Sequence, residues 1–274
     1  MMKNTISSLF AVGLMLLSIG LMQGCDLIDY HPYDVRISGQ TDVNATNILR
    51  IEKECLSKDT LRFVATGDTQ RWYDDTREFV DHVNKRGDVD FVLHGGDTSD
   101  FGVTDEFLWQ RDILNKLNVP YVVLLGNHDC IGTGEDTYRK VFGDPNFSFI
   151  AARIKFVCLN TNALEFDYSR PVPDFEFMTN ELTARGDEFD RTVVCMHVPP
   201  FDGEFNNNVA NVFEHYVLQY PGLQFCTVAH VHRAKQEDLF DDGTIYYMSD
   251  CIHHRNYYLF TITPEGYTYE VVDF

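Results

Sequence analysis

The stretch LRFVATGDTQ, residues 61–70, decides how the rest of the chain is read. Leu61, Phe63, Val64 and Ala65 make an apolar run, which predicts a strand bound for the interior. The run ends in Gly67 and Asp68, and Gln70 follows two residues later. A carboxylate at the end of a buried strand costs free energy unless a positive charge sits beside it. Asp68 therefore raises the question of which cation it meets.

Working outward, an alternation of elements begins at Leu61. LRFVAT and VDFVLHGG predict strands, and VPYVVLLGN a third. Between them, DDTREFVDHVNKR is amphipathic, with Phe79, Val80 and Val83 on one side, and TDEFLWQRDILNKLN predicts a helix capped by Thr104. A βαβαβ order implies right-handed crossovers and a parallel sheet. Later the rhythm changes. FSFIAARIKFVCLNT predicts two strands around a tight turn at residues 151–153. PDFEFMTNELTAR predicts a helix opened by Pro173 and Asp174, and VFEHYVLQY another between the strands of RTVVCMHVPP and LQFCTVAHVHR. FDDGTIYYMSD and NYYLFTITPEGYTYEVVDF read as terminal hairpins, turning at Asp242–Gly243 and at residues 264–266. Antiparallel strands so late in the chain imply a second, mixed sheet.

The termini and composition bound the setting. Residues 1–24 read as a signal segment: Lys3, a mostly apolar run over residues 6–22, then LMQGC, which places Cys25 after Gly24. The Leu-x-x-Gly-Cys ending resembles a bacterial lipoprotein signal, in which Cys25 becomes the lipidated first residue. That resemblance implies an exported protein, anchored to a membrane of the cell envelope on its periplasmic or surface face. Residues 25–60 are polar and read as a tether and lead-in segment, with the folded domain over residues 61–274. The formal charge is −20, which argues against long nucleic acid as a partner. A cation-filled site would invert the sign locally and admit a small phosphorylated substrate. Besides Cys25, six cysteines remain, three of them (Cys158, Cys195, Cys226) inside apolar strand-like runs, and no CxxC pair occurs. Mostly free thiols are expected.

The chemistry gathers where the strands finish. They end in GDTQ, GGDTSD, GNHD, MHVPP and AHVH. In a parallel sheet the strand C-termini share one edge, where ligands bind. A lone strand-end Asp is commonly a turn residue, and a lone His commonly structural. Here five strands deliver Asp68, Asp97, Asn127 with His128, His197, and His230 with His232 to one rim. His-x-His on a strand would put both rings on one face. Asp and His suit Mn, Fe or Zn, and an Asn carbonyl is an acceptable hard ligand. The donors exceed what one ion takes. Two ions roughly 3.5–4 Å apart, bridged by a carboxylate, hydrolyse phosphate esters.

Taken in order, these five motifs resemble the calcineurin-like metallophosphoesterase superfamily, whose pattern is Asp-x-His, Gly-Asp-x-x-Asp, Gly-Asn-His-Asp/Glu, His, and Gly-His-x-His. The resemblance runs from Leu61 to the C-terminus. It implies an α/β fold, a four-layer αββα sandwich of two mixed β-sheets. It also implies two divalent or trivalent metal ions, Mn, Fe or Zn. Asp68 and His232 would hold the first ion and Asp97 would bridge both. Asn127, His197 and His230 would hold the second. His128 would meet the phosphate and protonate the leaving oxygen, with Asp100 orienting it; a turn cap is the plainer role for Asp100. Asp129 is expected to brace its loop. Two positions depart from the pattern. Ala229 replaces the Gly before His-x-His. Gln70 stands where a metal-binding His is usual; its amide oxygen is expected to bind the first ion, or else to bond a loop while water fills the position. For substrate, residues 201–211 form one rim, and in residues 250–256 His253, His254 and Arg255 are candidates to reach a phosphate or sugar. The expected function is hydrolysis of a small phosphomonoester or cyclic phosphodiester. A nuclease of the same superfamily and a non-catalytic metal-binding lipoprotein are the alternatives.

Overall fold

The computed structural model describes residues 34–166 and 170–274. The signal segment and Cys25 lie outside the described residues. Among the described residues no helix is long and apolar enough to cross a membrane.

The first half runs α1 (Val43–Cys55), β1 (Leu61–Thr66), α2 (Tyr73–Arg86), β2 (Phe91–His94), α3 (Thr104–Leu114), β3 (Tyr121–Val123) and α4 (Gly134–Val141). The second half runs β4 (Phe147–Ala151), β5 (Ile154–Leu159), α5 (Ala163–Phe166), α6 (Phe175–Glu181), β6 (Arg191–Met196), α7 (Ala210–Val217), β7 (Leu223–Val228), β8 (Lys235–Asp238), β9 (Ile245–Met248), β10 (Asn256–Thr263) and β11 (Gly266–Asp273). Two mixed sheets result, in the orders β11-β10-β1-β2-β3 and β4-β5-β6-β7-β9-β8. β1, β2 and β3 are parallel, as are β5, β6, β7 and β9.

Side-chain alternation builds the layers. Phe63, Phe91, Phe156, Phe225 and Phe260 point between the sheets and form one core. Phe63 stacks on Phe91 at 5.2 Å and meets Phe156 edge-on at 5.1 Å, so the sheets lock through aromatic contacts. The intervening residues point outward. Val64 and Val92 pack under α2 and α3, with Phe79, Val80, Val83 and Phe107. Val194, Met196 and Cys226 pack under α6 and α7, with Met178 and Phe213. Helix, sheet, sheet and helix follow in that order. β2 and β5 are buried on both faces and are apolar on both apart from His94 and Lys155.

α1 falls within the segment read as tether and lead-in, and it packs on the first sheet. Asn44 donates to Val123 O at 2.8 Å and accepts from Val123 N at 2.9 Å, and Asn47 donates to Tyr121 O at 2.8 Å. These amides cover the free edge of β3 in place of a neighbouring strand.

Several local expectations are corrected. Thr104 does not cap α3; its hydroxyl turns to Asp34 O, and the Glu106 carboxylate accepts from Val103 N at 3.2 Å and Phe101 N at 3.0 Å instead. The hairpin over residues 235–248 has a longer loop than its Asp-Gly suggested, because β8 lies upstream and the Asp238 carboxylate holds the loop through Gly243 N at 2.8 Å. The last hairpin does turn at Pro264–Glu265, since Thr263 pairs with Gly266. Cys55, Cys130, Cys158, Cys195, Cys226 and Cys251 are all free.

Candidate metal centre

Each candidate ligand sits just past a strand end. Asp68 lies beyond β1, Asp97 beyond β2, Asn127 beyond β3, His197 beyond β6, and His230 and His232 beyond β7. The chain must turn sharply there. Asp68, Asp97, His230 and His232 all take left-handed backbone angles, with φ of 51°, 58°, 68° and 52°. For residues other than Gly this costs of order 1–3 kcal/mol each and persists only where the surroundings impose it. Asp129 supplies much of that constraint. Its buried carboxylate accepts from the N–H groups of Asp97, Thr98, Ser99 and Gly126 at 2.8–3.0 Å and from the Thr98 and Ser99 hydroxyls at 3.0 and 2.9 Å. Gly126 is required by contact: a Cβ there would lie 2.1 Å from Asp97 Oδ1.

One half of the cluster gathers around Asn127. His197 Nδ1 lies 2.9 Å from Gly95 O, so that nitrogen donates. Its other nitrogen, Nε2, lies 2.9 Å from Asn127 Oδ1 and 3.4 Å from Asp97 Oδ1. His230 repeats the pattern. Nε2 faces the Asp202 carboxylate at 3.3 Å, and Nδ1 lies 3.0 Å from Asn127 Oδ1. Two ring nitrogens and two oxygens thus converge lone pair to lone pair. Only a proton or a cation between them makes the arrangement favourable. Without metal the proton takes that place: burial would lower the His197 pKa, but Asp97 overrides it and holds it up to about 9. Burial would raise the Asp97 pKa, and the His197 charge pulls it below the usual value.

The other half gathers around Asp68. Its Oδ2 accepts from His230 N at 3.0 Å, and its Oδ1 lies 3.2 Å from His232 Nε2. The hydrogen bond to Asp68 raises the His232 pKa against the opposing effect of burial. Asp68, Asp97 and His232 offer ligand atoms within 4.8 Å of one another. Gln70 is buried beside them. Its Nε2 donates to Asp97 Oδ2 at 3.3 Å, while its Oε1 is buried with no hydrogen-bond partner. An orphaned buried acceptor costs roughly 1–3 kcal/mol. The residues present therefore fit cations, on both sides of Asp97. His230 and His232 do not share a face as a strand would place them. β7 stops at Val228, so one ring turns to Asn127 and the other to Asp68.

His128 stands at the edge of the cluster, one-third exposed. Its backbone N–H donates to Asp97 Oδ1 at 3.0 Å, and Nδ1 bonds the backbone carbonyl of Asp100 at 2.9 Å. Asp100 thus meets His128 through its main chain. Its carboxylate is 3.7 Å from that ring and pairs with Arg71, which the left-handed turn at φ 59° brings across. Burial would lower the His128 pKa; Asp97, then Asp100, raise it above the ordinary value. His94, behind the cluster, ties two turns together by accepting from Gly96 N at 3.2 Å and meeting Thr69 Oγ1 at 2.9 Å. Burial keeps it neutral, lowering its pKa to about 3.

Ala229, which replaces the Gly before His-x-His, fits its turn. A Cβ on Gly67 or Gly95 would lie 2.9 or 2.7 Å from the Ala229 methyl, so the absence of side chains on these two makes room for it. A cavity of about 470 Å³ opens in the rim at residues 201–211, where Glu204 and Asn206 face Leu164 and Arg170. The loop at residues 250–255 abuts Asp68, since Ile252 N donates to Asp68 O at 3.3 Å. There His253 stacks on Trp72 at 3.9 Å and bonds Asp75 at 3.0 Å. The Arg255 guanidinium is taken by Glu78, Asp75 and Phe274 O, and His254 turns to Asp250. Sequence reading missed Asp202, His94 and the Arg71–Asp100 pair. Asp202 and His230 are 28 positions apart, and no local pattern links them.

Comparison with known proteins agrees with this geometry. The chain is 32% identical over 218 residues to the uncharacterized protein YvnB of Bacillus subtilis, a match covering 68% of this chain and 17% of that protein. It is 24% identical over 163 residues to the 3′,5′-cyclic-nucleotide phosphodiesterase alr5338 of Nostoc sp., covering 54% and 58%. The chain thus spans less than two-thirds of either curated relative. Among solved structures, purple acid phosphatase PPD1 from yellow lupin superposes with a TM-score of 0.59 at 14% identity, covering 79% of this chain and 52% of that one. TT1561 of Thermus thermophilus superposes at 0.55 and 11% identity, covering 78% and 99%. These structural likenesses concern the fold. The family model described as calcineurin-like phosphoesterase matches residues 61–234, which hold all five strand-end motifs. With its two mixed sheets and the ligand cluster on their shared rim, the chain belongs to the calcineurin-like phosphoesterase family.

Proposed function

We propose that the protein hydrolyses a small phosphomonoester or cyclic phosphodiester through a dinuclear metal site. The observation that carries this reading is the set of opposed lone pairs beside Asp97: His197 Nε2, His230 Nδ1 and Asn127 Oδ1 in one half, and His232 Nε2 against Asp68 Oδ1 in the other, where the buried Gln70 Oε1 is left without a hydrogen-bond partner. Asp68, Gln70 and His232 would hold a first ion, Asn127, His197 and His230 a second, and Asp97 would serve both. When bound, the two cations neutralise the phosphoryl oxygens and activate water. The chain's own residues do the rest. The Gly95 carbonyl and Asp202 fix the tautomers of His197 and His230, so that Nε2 of one and Nδ1 of the other face inward. His128 Nδ1 is engaged by Asp100 O, which leaves Nε2 to give a proton to the departing alkoxide. The cavity beside Glu204 and Asn206 takes the alcohol portion of the substrate.

The cyclic diester is one member of this class, motivated by the cyclic-nucleotide phosphodiesterase of Nostoc sp.. A nuclease is disfavoured by the charge of −20. Attachment to a membrane through lipidated Cys25 is part of the same reading and is supported by the sequence LMQGC.

The test is metal analysis of the purified protein, followed by phosphomonoesters, cyclic nucleotides and nucleotide sugars with added Mn²⁺. Two ions per chain and metal-dependent hydrolysis of a monoester or cyclic diester are expected. A protein that binds no stoichiometric metal, or binds it and hydrolyses none of these, overturns the reading.

A further inference from the structure

A second group of ligating atoms lies outside the cluster already described. His254 Nδ1 is 2.6 Å from Asp250 Oδ1 and 3.6 Å from Cys251 Sγ, and the three ligand atoms lie within 4.8 Å of one another. Cys251 is 5% exposed, the Asp250 side chain 12% and the His254 side chain 55%. A thiol, a carboxylate and an imidazole therefore converge with one face open to solvent.

The spacing matches a known coordination edge. Zn–S of about 2.3 Å and Zn–N of about 2.0–2.1 Å at a tetrahedral angle place S and N about 3.6 Å apart. The Cys251–His254 separation already has that value. The Asp250–His254 pair is about 0.8 Å shorter than the corresponding O–N edge of about 3.4 Å. It is a hydrogen bond, and the exposed His254 ring can open it.

The flanks are fixed in advance. Asn256 Nδ2 donates to Asp250 Oδ2 at 3.2 Å, and Cys251 N donates to Asp250 Oδ1 at 2.9 Å. Cys251 bridges to Gly67, and His253 is held away by Trp72 and Asp75.

We propose that Asp250, Cys251 and His254 form a third cation site of the zinc class, separate from the dinuclear centre. A thiolate selects zinc over the harder ions that carbonyl and carboxylate ligands favour. Binding releases the Cys251 thiol proton to solvent. His254 shifts its proton from Nδ1 to the exposed Nε2, so the ring stays neutral. Ile252, within the same loop, donates its N–H to Asp68 O, so occupancy stiffens the turn that presents Asp68.

Cobalt titration of the purified protein tests this, because a thiolate bound to Co²⁺ gives a near-ultraviolet sulfur-to-cobalt charge-transfer band. None of the dinuclear ligands contains sulfur. Wild-type protein should develop the band to saturation at one equivalent in that site. Cys251→Ser should abolish it and Asp97→Ala should keep it. Asn256→Ala should weaken cobalt binding there on the order of 10–100-fold, as loss of an orienting partner does. No band at saturating Co²⁺, a band that survives Cys251→Ser, or one lost with Asp97→Ala overturns the proposal. If Cys251→Ser fails to fold, His254→Ala at the exposed ring replaces it: a lost or weakened band supports the site, and an unchanged one refutes it.

Discussion

Lowering the pH should drive metal from the second position through His197, by an amount the geometry sets. Gly95 O engages Nδ1, so Nε2 is the nitrogen that titrates, and it is also the one that faces Asn127 and Asp97. Burial disfavours the charged ring, yet Asp97 holds the pKa up to about 9 in the metal-free protein. At pH 7 that ring is about 99% protonated. A cation must displace this proton. Affinity at the second position should fall toward tenfold per pH unit below 9, or about 50-fold between pH 9 and pH 7, equivalent to about 2.3 kcal/mol. Stability should follow the opposite sign without metal. The folded pKa lies above the unfolded value of 6.5, so the His197–Asp97 interaction contributes about 3 kcal/mol in full below pH 6.5. That contribution is lost as the pH rises through 9. Calorimetric Mn²⁺ titrations in buffers of different ionisation enthalpy would count the protons released, with one per chain from His197 expected at pH 7. Denaturant unfolding of metal-free wild type against His197→Asn isolates the stability term, whose difference should shrink from pH 6 to pH 9. An affinity unchanged between pH 7 and pH 9, or binding at pH 7 without proton release, would refute the reasoning.

Asp97→Ala should lose both ions, since it faces both halves of the cluster; metal analysis showing full content would contradict this. His128→Ala should keep its metal and lose turnover by about 10²–10⁴-fold, most severely for alkoxide leaving groups. Equal losses for nitrophenolate and alkoxide substrates would remove its role as the acid. Gln70→His should tighten the first ion and raise occupancy by zinc, because imidazole is a softer donor than an amide oxygen; unchanged metal content and preference would show that Gln70 is not a ligand. Wild-type protein should fractionate with membranes and Cys25→Ser should release it, and a wholly soluble wild type would sink the lipid anchor.

The strand ends were legible because their chemistry is local: an apolar run, a small residue, then Asp, Asn or His. Phe63, Val64, Phe91 and Val92 also announced their layers, since alternation in a doubly covered sheet leaves only apolar residues. What stayed hidden depends on contacts distant in sequence. Ala229 departs from the family pattern, and only the fold shows that Gly67 and Gly95 leave room for its methyl. Asp100 reaches His128 twice, through its carbonyl at 2.9 Å and its carboxylate at 3.7 Å, and no local pattern announced that Arg71 shares that carboxylate. Arg255, a candidate to reach substrate, also pairs with Asp75 and Glu78 on α2, a contact about 180 positions away that no local pattern shows. A surplus of carboxylates makes any arginine hard to assign from sequence, because each has many suitors.

The place of β10 has a consequence for assembly. It pairs with β1 across about 200 residues of sequence, with Leu61 opposite Ile262 and Ala65 opposite Tyr258. The loop leading into it supplies the N–H that holds the Asp68 carbonyl. During synthesis, therefore, Asp68 lacks one wall of its turn until the segment around Ile252 has emerged. Non-local pairing of this kind is slow, because the entropy of closing the chain is lost before any contact compensates it. The nascent chain can gather helices and parallel strands early, but the candidate ligand cluster is complete only once residues 250–263 have joined β1. Any cation the cluster takes up would then come from the compartment in which that late segment joins the sheet.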